Sequence, residues 1–272
     1  MNAIQDGSTR LSIIVGDPIA QVKAPHTLTA KFVAAGYNGV LVPVHVAPKD
    51  LAALVINVSL AQNLDSIVVT VPHKFACYGL CRSATERASF LGAVNLMRRN
   101  ADGSWHGEMV DGPGFVGAVR ANGGEPNGQR VLLIGAGGAG SAIALEMVEA
   151  GVRELAIHDA DHKRRDALIA KLNTRKGANV MIGSTDPTGF DIVANATPAG
   201  MNAGDPYPVD VTKFTPAMFV GCVITSPPTS PPTSPMVAAA RKVGCKTSVG
   251  LDMVKAELDM MVEFLVPKAR KS

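Results

Sequence analysis

Short apolar runs alternate with helical patterns in the first third of the chain. Three buried strands are predicted there, at residues 11–16, 40–46 and 66–71. Two helices are predicted between them, at residues 25–35 and 48–60, and Gly36 is placed to end the first. Pro43 cannot donate to a sheet ladder, so it indicates an edge strand or a bulge. Strands that alternate with helices predict right-handed crossovers and a mostly parallel sheet.

The same alternation continues more regularly through the middle of the chain. Strands are predicted at residues 130–134, 154–158, 180–182, 191–195 and 219–224, and helices at residues 141–150 and 161–176. A glycine-rich stretch, residues 111–129, is predicted to join the two halves. An apolar stripe at helical spacing predicts a C-terminal helix over residues 251–268. The pattern as a whole indicates an α/β protein.

One segment has low complexity. Residues 226–235 read Ser-Pro-Pro-Thr-Ser-Pro-Pro-Thr-Ser-Pro, a tandem repeat of PPTS. Residues that precede proline avoid the α region, so extended or polyproline-like backbone is predicted here.

Composition and charge exclude several classes of protein. The 272 residues correspond to about two domains, and such a chain can bury a large core without disulfides or metals. The net charge is only +3, aromatic residues make up 4%, and the longest basic block is Lys163-Arg164-Arg165. A nucleic-acid partner is therefore not expected, since such proteins carry a denser basic stripe.

Targeting signals and cysteine spacing favour a reducing, cytoplasmic location. Residues 1–10 lack the cationic start and apolar run of a signal peptide, and no run approaches the ~18 apolar residues of a membrane span. No membrane partner is expected. The cysteines form no CxxC pair and no zinc spacing, so we expect buried or semi-buried thiols and no metal at Cys77, Cys81, Cys222 and Cys245. On a helix, Cys77 and Cys81 would share a face.

A glycine fingerprint follows the first strand of the second half. It consists of Gly135, Ala136, Gly137, Gly138, Ala139 and Gly140, a GxGxxG pattern between a predicted strand and a predicted helix. Gly135 allows the tight turn, Gly137 lets the backbone approach a pyrophosphate, and Gly140 lets helix and strand pack. The exposed N–H groups and the helix dipole favour phosphate. A Rossmann-type dinucleotide-binding domain is predicted; the alternative is a glycine-rich packing turn.

The coenzyme prediction depends on Asp159, at the end of the next strand and 24 positions after Gly135. A carboxylate there can accept hydrogen bonds from both ribose hydroxyls and repels a 2′-phosphate, so NAD is favoured over NADP. Lys163-Arg164-Arg165 could reach a phosphate from the following helix. We interpret that run as a solvated helix face.

Lys74 lies just past the C-terminal end of a predicted strand, the edge at which parallel α/β sheets bind ligands. Asn95 and Asp111 are single polar residues among apolar and glycine neighbours, which suits groups held rigidly near a cleft. A lysine beside an aspartate can exchange a proton with a substrate hydroxyl while hydride leaves the carbon. A solvated lysine is the alternative.

Together these motifs resemble those of the shikimate/quinate dehydrogenase family from end to end. The matching segments are Gly16-Asp-Pro-Ile-Ala, Thr70-Val-Pro-His-Lys74, Gly92-Ala-Val-Asn95, Asp111-Gly-Pro-Gly114, the glycine fingerprint, Asn195-Ala-Thr-Pro-Ala-Gly-Met201 and Gly250-Leu-Asp-Met253. The resemblance implies a substrate domain over residues 1–112, completed by a C-terminal helix at 250–272 that packs back on it. It implies a Rossmann NAD(P) domain over residues 113–249.

The resemblance also implies roles for individual residues. Lys74 and Asp111 would be the catalytic pair, and Asn95 would bind substrate hydroxyls. Thr70, Val22, Ala24 and Glu257 occupy further substrate positions. Asn195, Thr197, Met201 and Gly250 would lie on the coenzyme side.

Several positions depart from the family pattern. Val22 and Ala24 stand where the two serines that hold a substrate carboxylate are expected, and Ile224 stands where a tyrosine assists them. Val68, Met109-Val110 and Glu257 replace an asparagine, an Asn-Thr pair and a glutamine. Asp159-Ala160-Asp161 replaces the Asn-Arg-Thr that reads NADP. The catalytic residues are retained, whereas much of the substrate shell is not.

The leading hypothesis is an NAD-dependent dehydrogenase of shikimate, quinate or a related cyclic polyol. Two alternatives stay open: a dehydrogenase of another alicyclic alcohol that lacks the carboxylate, and a catalytically silent nucleotide-binding regulator. The family resemblance is compatible with either a monomer or a homodimer.

Overall fold

The structure, a computed structural model, describes residues 5–225 and 233–266. It divides into two compact units: unit 1 comprises Met1–Val110 and Glu257–Ser272, and unit 2 comprises Asp111–Ala256. The sequence instead predicted that the first domain ends at residue 112 and that its C-terminal part begins at residue 250. Most of the PPTS repeat, residues 226–232, lies outside the described residues.

Unit 1 contains six strands and four complete helices among the described residues. The strands are β1 (Arg10–Gly16), β2 (Gly39–His45), β3 (Leu64–Val69), β4 (Ser83–Ala84), β5 (Leu96–Arg99) and β6 (Trp105–Glu108). The helices are α1 (Ala24–Ala34), α2 (Leu51–Val58), α3 (Lys74–Tyr78) and α4 (Glu86–Leu91), with a 3-10 turn at Pro48–Asp50 before α2. The predicted helix over 48–60 is therefore a 3-10 turn and a shorter α-helix.

The sheet of unit 1 has the order β2-β1-β3-β5-β6-β4. Three neighbouring pairs are parallel, and only β5 runs antiparallel to its neighbours β3 and β6, which confirms a mostly parallel sheet. Pro43 lies on β2, which is an edge strand, as predicted. One face is covered by Leu28 and Phe32 of α1 and, from the C-terminal helix, by Leu258, Met261 and Leu265.

Unit 2 contains a second six-stranded sheet. Its strands are β7 (Arg130–Ile134), β8 (Glu154–His158), β9 (Val180–Ile182), β10 (Ile192–Asn195), β11 (Phe219–Cys222) and β12 (Lys246–Ser248). Its helices are α5 (Asp111–Ala121), α6 (Gly138–Glu149), α7 (His162–Leu172) and α8 (Pro235–Val243), with a 3-10 turn at Val211–Lys213. Helix α9 (Gly250–Leu265) begins in unit 2 and ends in unit 1.

The strand order of unit 2 confirms the Rossmann prediction. The sheet runs β12-β11-β10-β7-β8-β9, and every neighbouring pair is parallel. If the six strands of unit 2 are numbered 1 to 6 from β7 to β12, the order from the β9 edge is 3-2-1-4-5-6, which is that of dinucleotide-binding folds. The order reverses beside β7, the strand that carries the glycine fingerprint at its carboxyl end.

The glycine-rich stretch predicted as a joint is instead helix α5 followed by a short turn. Close packing of two helices explains the first glycine of this stretch. A Cβ at Gly112 would lie 2.3 Å from the carbonyl oxygen of Ala142 on α6, so only glycine lets the two helices approach. Gly36, in contrast, has φ of +74° after α1, as its predicted role as a helix stop requires.

Three of the four cysteines, Cys77, Cys222 and Cys245, are buried, and Cys81 is partly buried, as predicted. Cys77 and Cys81 do not lie on one helix, because α3 ends at Tyr78. The thiol of Cys81 instead donates to the carbonyl of Cys77 (3.4 Å). Burial raises the pKa of Cys77 to about 12 and that of Cys81 to about 11, so neither is a ready nucleophile.

Candidate active site

The glycine fingerprint forms the turn between β7 and α6. Gly135 has φ of +105°, in the left-handed region that favours glycine. A Cβ on Gly140 would lie only 2.0 Å from the carbonyl oxygen of Gly135, so the helix can pack this closely only with glycine there. Gly137, the N-cap of α6, has φ of −71° and nothing within 4 Å of a would-be Cβ.

This turn fits the pyrophosphate of a dinucleotide. The open space at Gly137 leaves the backbone accessible at the start of a twelve-residue helix. The first N–H groups of a helix have no partner within it, and the helix dipole favours an anion at that end. Gly137, Gly138 and Ala139 are the residues that would hold the phosphates.

Asp159 is buried at the carboxyl end of β8, with only 5% of the residue exposed. Its Oδ2 accepts from Ala136 N–H (2.6 Å) and its Oδ1 from Asp161 N–H (2.8 Å). Both oxygens also accept from Nη2 of Arg164, at 2.8 and 3.0 Å. Asp159 therefore ties the glycine turn to the start of α7.

These contacts determine the ionisation of Asp159. Burial alone would raise the pKa of its carboxyl. The hydrogen bonds from the Ala136 amide and the Arg164 guanidinium outweigh burial and hold that pKa below its usual value. At neutral pH the Asp159 carboxylate is therefore an anion, and it forms an ion pair with the Arg164 guanidinium.

The interpretation of residues 163–165 as a solvated helix face is correct for Lys163 and Arg164, which are exposed, and wrong for Arg165. Arg164 pairs with Asp159. Arg165 is buried and pairs with Asp166 (2.8 Å). The basic run therefore supplies one cation to the predicted ribose position and one to a local pair.

The loop after β10 is organised by Asn195, which is fully buried. Its Oδ1 accepts from both the N–H (3.0 Å) and the hydroxyl (2.7 Å) of Thr197, and its Nδ2 donates to the carbonyl of Ala199 (3.2 Å). Asn195 therefore shapes the turn, and the partly buried Met201 that follows it packs against the core of unit 2.

Gly250 begins α9 against the end of the β11 segment. A Cβ there would lie 2.4 Å from the carbonyl oxygen of Ile224, so glycine is required for this approach. The Ile224 side chain itself packs in the core of unit 2 with Met236 and Val237. It therefore fills the core of unit 2. That Ile224 stands where a tyrosine would assist substrate binding stays a prediction.

In unit 1, Thr70 and Lys74 flank a short loop after β3. Thr70 N–H donates to the carbonyl of Val15 (3.0 Å), and the Val94 N–H donates to the carbonyl of Lys74 (3.0 Å). Between them, Nε2 of the buried His73 bonds the carbonyl of Val46 (2.9 Å). The half-buried Lys74 is thus anchored through the backbone on both sides.

Asn95 is buried immediately before β5, and its Oδ1 accepts from the N–H of Val110 (2.9 Å). Val110 precedes Asp111 in the chain. Asp111 is itself buried, and it is the first residue of α5, where the helix dipole favours its carboxylate. Each of the two polar candidates thus has a fixed place in its own unit.

Val22 and Ala24 lie at the start of α1, partly buried against the core of unit 1. Val22 also lines a shallow cavity of about 310 Å³ with Ile19, Ala20, Lys23, Pro25, His26 and Pro43. Most of that lining is apolar. Glu257, on α9, is buried in unit 1.

Two positioning residues escaped the sequence analysis. His73 was visible only as part of a motif, although a polar residue between Thr70 and Lys74 was a usable signal. Arg164 was noted as part of a charge run, and its position five residues after Asp159 was the signal for a contact across the turn into α7.

Within residues 5–225 and 233–266, no group of three or more His, Cys, Asp or Glu is arranged to hold a metal ion. In the same residues no helix is both long and apolar enough to cross a membrane.

Comparison with known proteins agrees with this geometry. Residues 14–97 match the family model described as shikimate dehydrogenase substrate binding domain. A shikimate dehydrogenase (NADP(+)) of Rubrobacter xylanophilus is 36% identical over 243 residues, covering 88% of this chain and 84% of that protein. A quinate/shikimate dehydrogenase (NAD(+)) of Corynebacterium glutamicum is 33% identical over 214 residues, covering 75% and 73%.

A similar solved structure is that of a protein named as a reductase of 5-ketofructose. The ligand-free form of 5-ketofructose reductase of Gluconobacter sp. strain CHM43 has a TM-score of 0.80 and 27% identity. The match covers 96% of this chain and 94% of that one.

Two glycine substitutions separate folding from coenzyme binding. Gly140→Ala should lower the melting temperature, because the new methyl group collides with the Gly135 carbonyl. Gly137→Ala should leave the melting temperature unchanged but weaken coenzyme binding at least about tenfold, since the methyl group enters the open cradle. Thermal unfolding without coenzyme and calorimetric titration with coenzyme measure the two effects. Unchanged coenzyme affinity in Gly137→Ala would show that phosphate does not approach the backbone there.

Proposed function

The chain belongs to the shikimate/quinate dehydrogenase family and is an NAD(P)-dependent oxidoreductase of CH–OH groups, and from that premise we propose a specific reaction. The protein oxidises and reforms a ring hydroxyl of shikimate, quinate or a related cyclic polyol, with NAD as the preferred coenzyme. Lys74 and Asp111 are the proton-transfer pair. The observation that carries the proposal is the backbone anchoring of Lys74 beyond the carboxyl end of β3.

A bound nicotinamide coenzyme would supply the hydride acceptor for the oxidation and the hydride donor for the reduction. Lys74 removes the hydroxyl proton in the oxidation and gives it back in the reduction. Asp111 stabilises the protonated amine and orients it. A positioned acid–base group of this kind contributes about two to four orders of magnitude in rate.

The remaining roles divide between the two units. We assign substrate binding to unit 1, where Thr70, Asn95 and Glu257 bind hydroxyls. The hydrogen bond from Val110 N–H to Oδ1 of Asn95 fixes the orientation of that carboxamide. We assign coenzyme binding to unit 2, with the glycine turn at the phosphates, Asp159 at the ribose, and Thr197, Met201 and Gly250 on the nicotinamide side. A cytoplasmic location and a monomer or homodimer stay predictions.

A second candidate is a dehydrogenase of a polyol or keto sugar without a carboxylate. Val22 and Ala24 offer no side-chain donors to an anion, and the cavity beside Val22 is mostly apolar. The likeness to a 5-ketofructose reductase, whose named substrate is a keto sugar, favours the same candidate. The third alternative, a silent nucleotide-binding regulator, predicts no turnover of any alcohol.

Removal of the proposed acid–base pair tests the reaction. Lys74→Ala should lower kcat at least about a hundredfold with little change in NAD affinity, and Asp111→Asn should behave similarly. Lys49→Ala, an exposed lysine of unit 1, is the matched control and should keep full activity. The assay uses NAD with shikimate, quinate and uncharged cyclic polyols. Near-full activity of Lys74→Ala would contradict the pair, and turnover of any of these alcohols excludes the silent regulator.

The substrate anion is tested by restoring the missing hydroxyls. Shikimate should bind the native protein weakly, because each hydrogen bond to a charged group contributes about 1.5–3 kcal/mol and two such donors are absent. Val22→Ser/Ala24→Ser should lower the KM for shikimate about tenfold or more. Ala30→Ser/Val33→Ser, on the exposed part of α1, is the matched control. A micromolar KM in the native protein, with no gain in the double variant, would show that other residues face the carboxylate.

The coenzyme preference is tested at Arg164. NAD should be preferred over NADP, because a buried carboxylate repels the 2′-phosphate, although Arg164 offsets part of that charge. Arg164→Ala should therefore raise the NAD-to-NADP ratio of kcat/KM, by about tenfold if one charge-assisted contact is lost. Lys163→Ala, exposed on the same helix, should leave the ratio unchanged. Tighter NADP binding than NAD binding by the native protein would overturn the preference.

A further inference from the structure

The two residues before Asp111, Met109 and Val110, have buried backbone N–H groups, and neither residue has a side-chain acceptor for a hydrogen bond. Met109 has no exposed surface and Val110 is 3% exposed, and both side chains are apolar. A buried N–H without an acceptor is strongly unfavourable, so other residues must accept from both. Oδ1 of Asn95 accepts from Val110, as described above.

Glu108 accepts from the other amide. Its Oε1 lies 2.7 Å from the N–H of Met109 and 2.8 Å from the hydroxyl of Thr85. One carboxylate oxygen thus binds both the next residue of the chain and the residue that caps α4.

The contacts of Glu108 close into a ring. The backbone carbonyl of Glu108 accepts from Asn95 N–H (3.0 Å). Helix α4 joins Thr85 to the segment that carries Asn95. The three residues before Asp111 are therefore held by Thr85 and by both the backbone and the side chain of Asn95, and Glu108 is their common member.

We propose that Glu108 is a positioning residue for the reaction: its side chain fixes the backbone that leads into Asp111 and so sets where that carboxylate begins α5. The inference rests on the proposed role of Asp111 in proton transfer. Misplacing a reacting group by about 1 Å can lower the rate a hundredfold, so a single backbone acceptor in this place is sufficient to matter.

The acceptor oxygen, rather than the charge, carries this role. Nη1 of Arg87 is 3.7 Å from Oε1 of Glu108, too far for a hydrogen bond, whereas the Met109 amide and the Thr85 hydroxyl lie within 2.8 Å of that oxygen. A neutral amide at this position keeps an oxygen for Met109 and Thr85. Glutamine should therefore replace glutamate, whereas alanine should not.

The test compares Glu108→Ala and Glu108→Gln in the full-length protein. Glu108→Ala should lower kcat about ten- to a hundredfold, while KM for alcohol and coenzyme changes by less than about threefold. Hydrogen exchange at the Met109 amide should accelerate in Glu108→Ala. Glu108→Gln should keep kcat within about threefold of the native value and keep the amide protected. Glu108→Met, which fills the space without an acceptor oxygen, replaces Glu108→Ala if that variant does not fold.

Asp102→Ala is the matched control. Asp102 is an exposed carboxylate in the turn between β5 and β6, where it accepts from Ser104 N–H (3.0 Å). Its removal should lower the melting temperature without lowering kcat, so a loss of stability alone cannot reproduce the expected result.

The outcomes distinguish the inference from the proposed function. An inactive Asp111→Asn beside a fully active Glu108→Ala overturns the inference alone. An equal loss of kcat in Glu108→Gln and Glu108→Ala also overturns it, because charge would then be the cause. An active Asp111→Asn overturns the proposed proton-transfer pair itself.

Discussion

Buried backbone N–H groups near the carboxyl edges of the two sheets need acceptors, and in this protein side-chain oxygens provide them. Asn95 accepts from Val110, Asp159 from Ala136, and Asn195 from Thr197. Each acceptor is buried, and an amide left without one would cost about 1–3 kcal/mol. The turns of the candidate site therefore have their shape because a few polar side chains are buried beneath them.

The same constraint changes how the family motifs are understood. Asn195 lies in a segment implied to contact the coenzyme, yet both ends of its carboxamide bind the loop that follows β10. A substitution of Asn195 would therefore remove hydrogen bonds that fix the loop, whether or not the residue contacts a ligand. Thr70 and Lys74 differ, because the anchoring contacts there are made by their backbones. A motif thus mixes residues that shape the site with residues that bind.

The regular part of the fold could be predicted from the sequence. Strands β7, β8 and β9 have the predicted bounds, because continuous apolar runs between turn residues leave little alternative. The hairpin β5–β6 was missed, since β5 ends in two arginines that suggest a surface. One of them, Arg99, donates to the carbonyls of Ser59 and Ala61, which lie far away in the sequence. Helix α5 was missed because the glycine-rich residues 111–129 were interpreted as a joint between the two halves, whereas Gly112 lets α5 pack closely on α6.

The site was predictable in its residue types but not in its charges. The spacing from the glycine fingerprint is sufficient to identify Asp159. The sequence alone gives no sign that its carboxylate already has hydrogen-bond partners. In the structure both of its oxygens already accept from backbone amides and from Arg164. A ribose hydroxyl must compete with those donors, and a 2′-phosphate would meet a neutralised pair rather than an isolated anion. If Asp159 binds the ribose as proposed, the coenzyme preference would therefore depend on the Asp159–Arg164 pair rather than on the carboxylate alone.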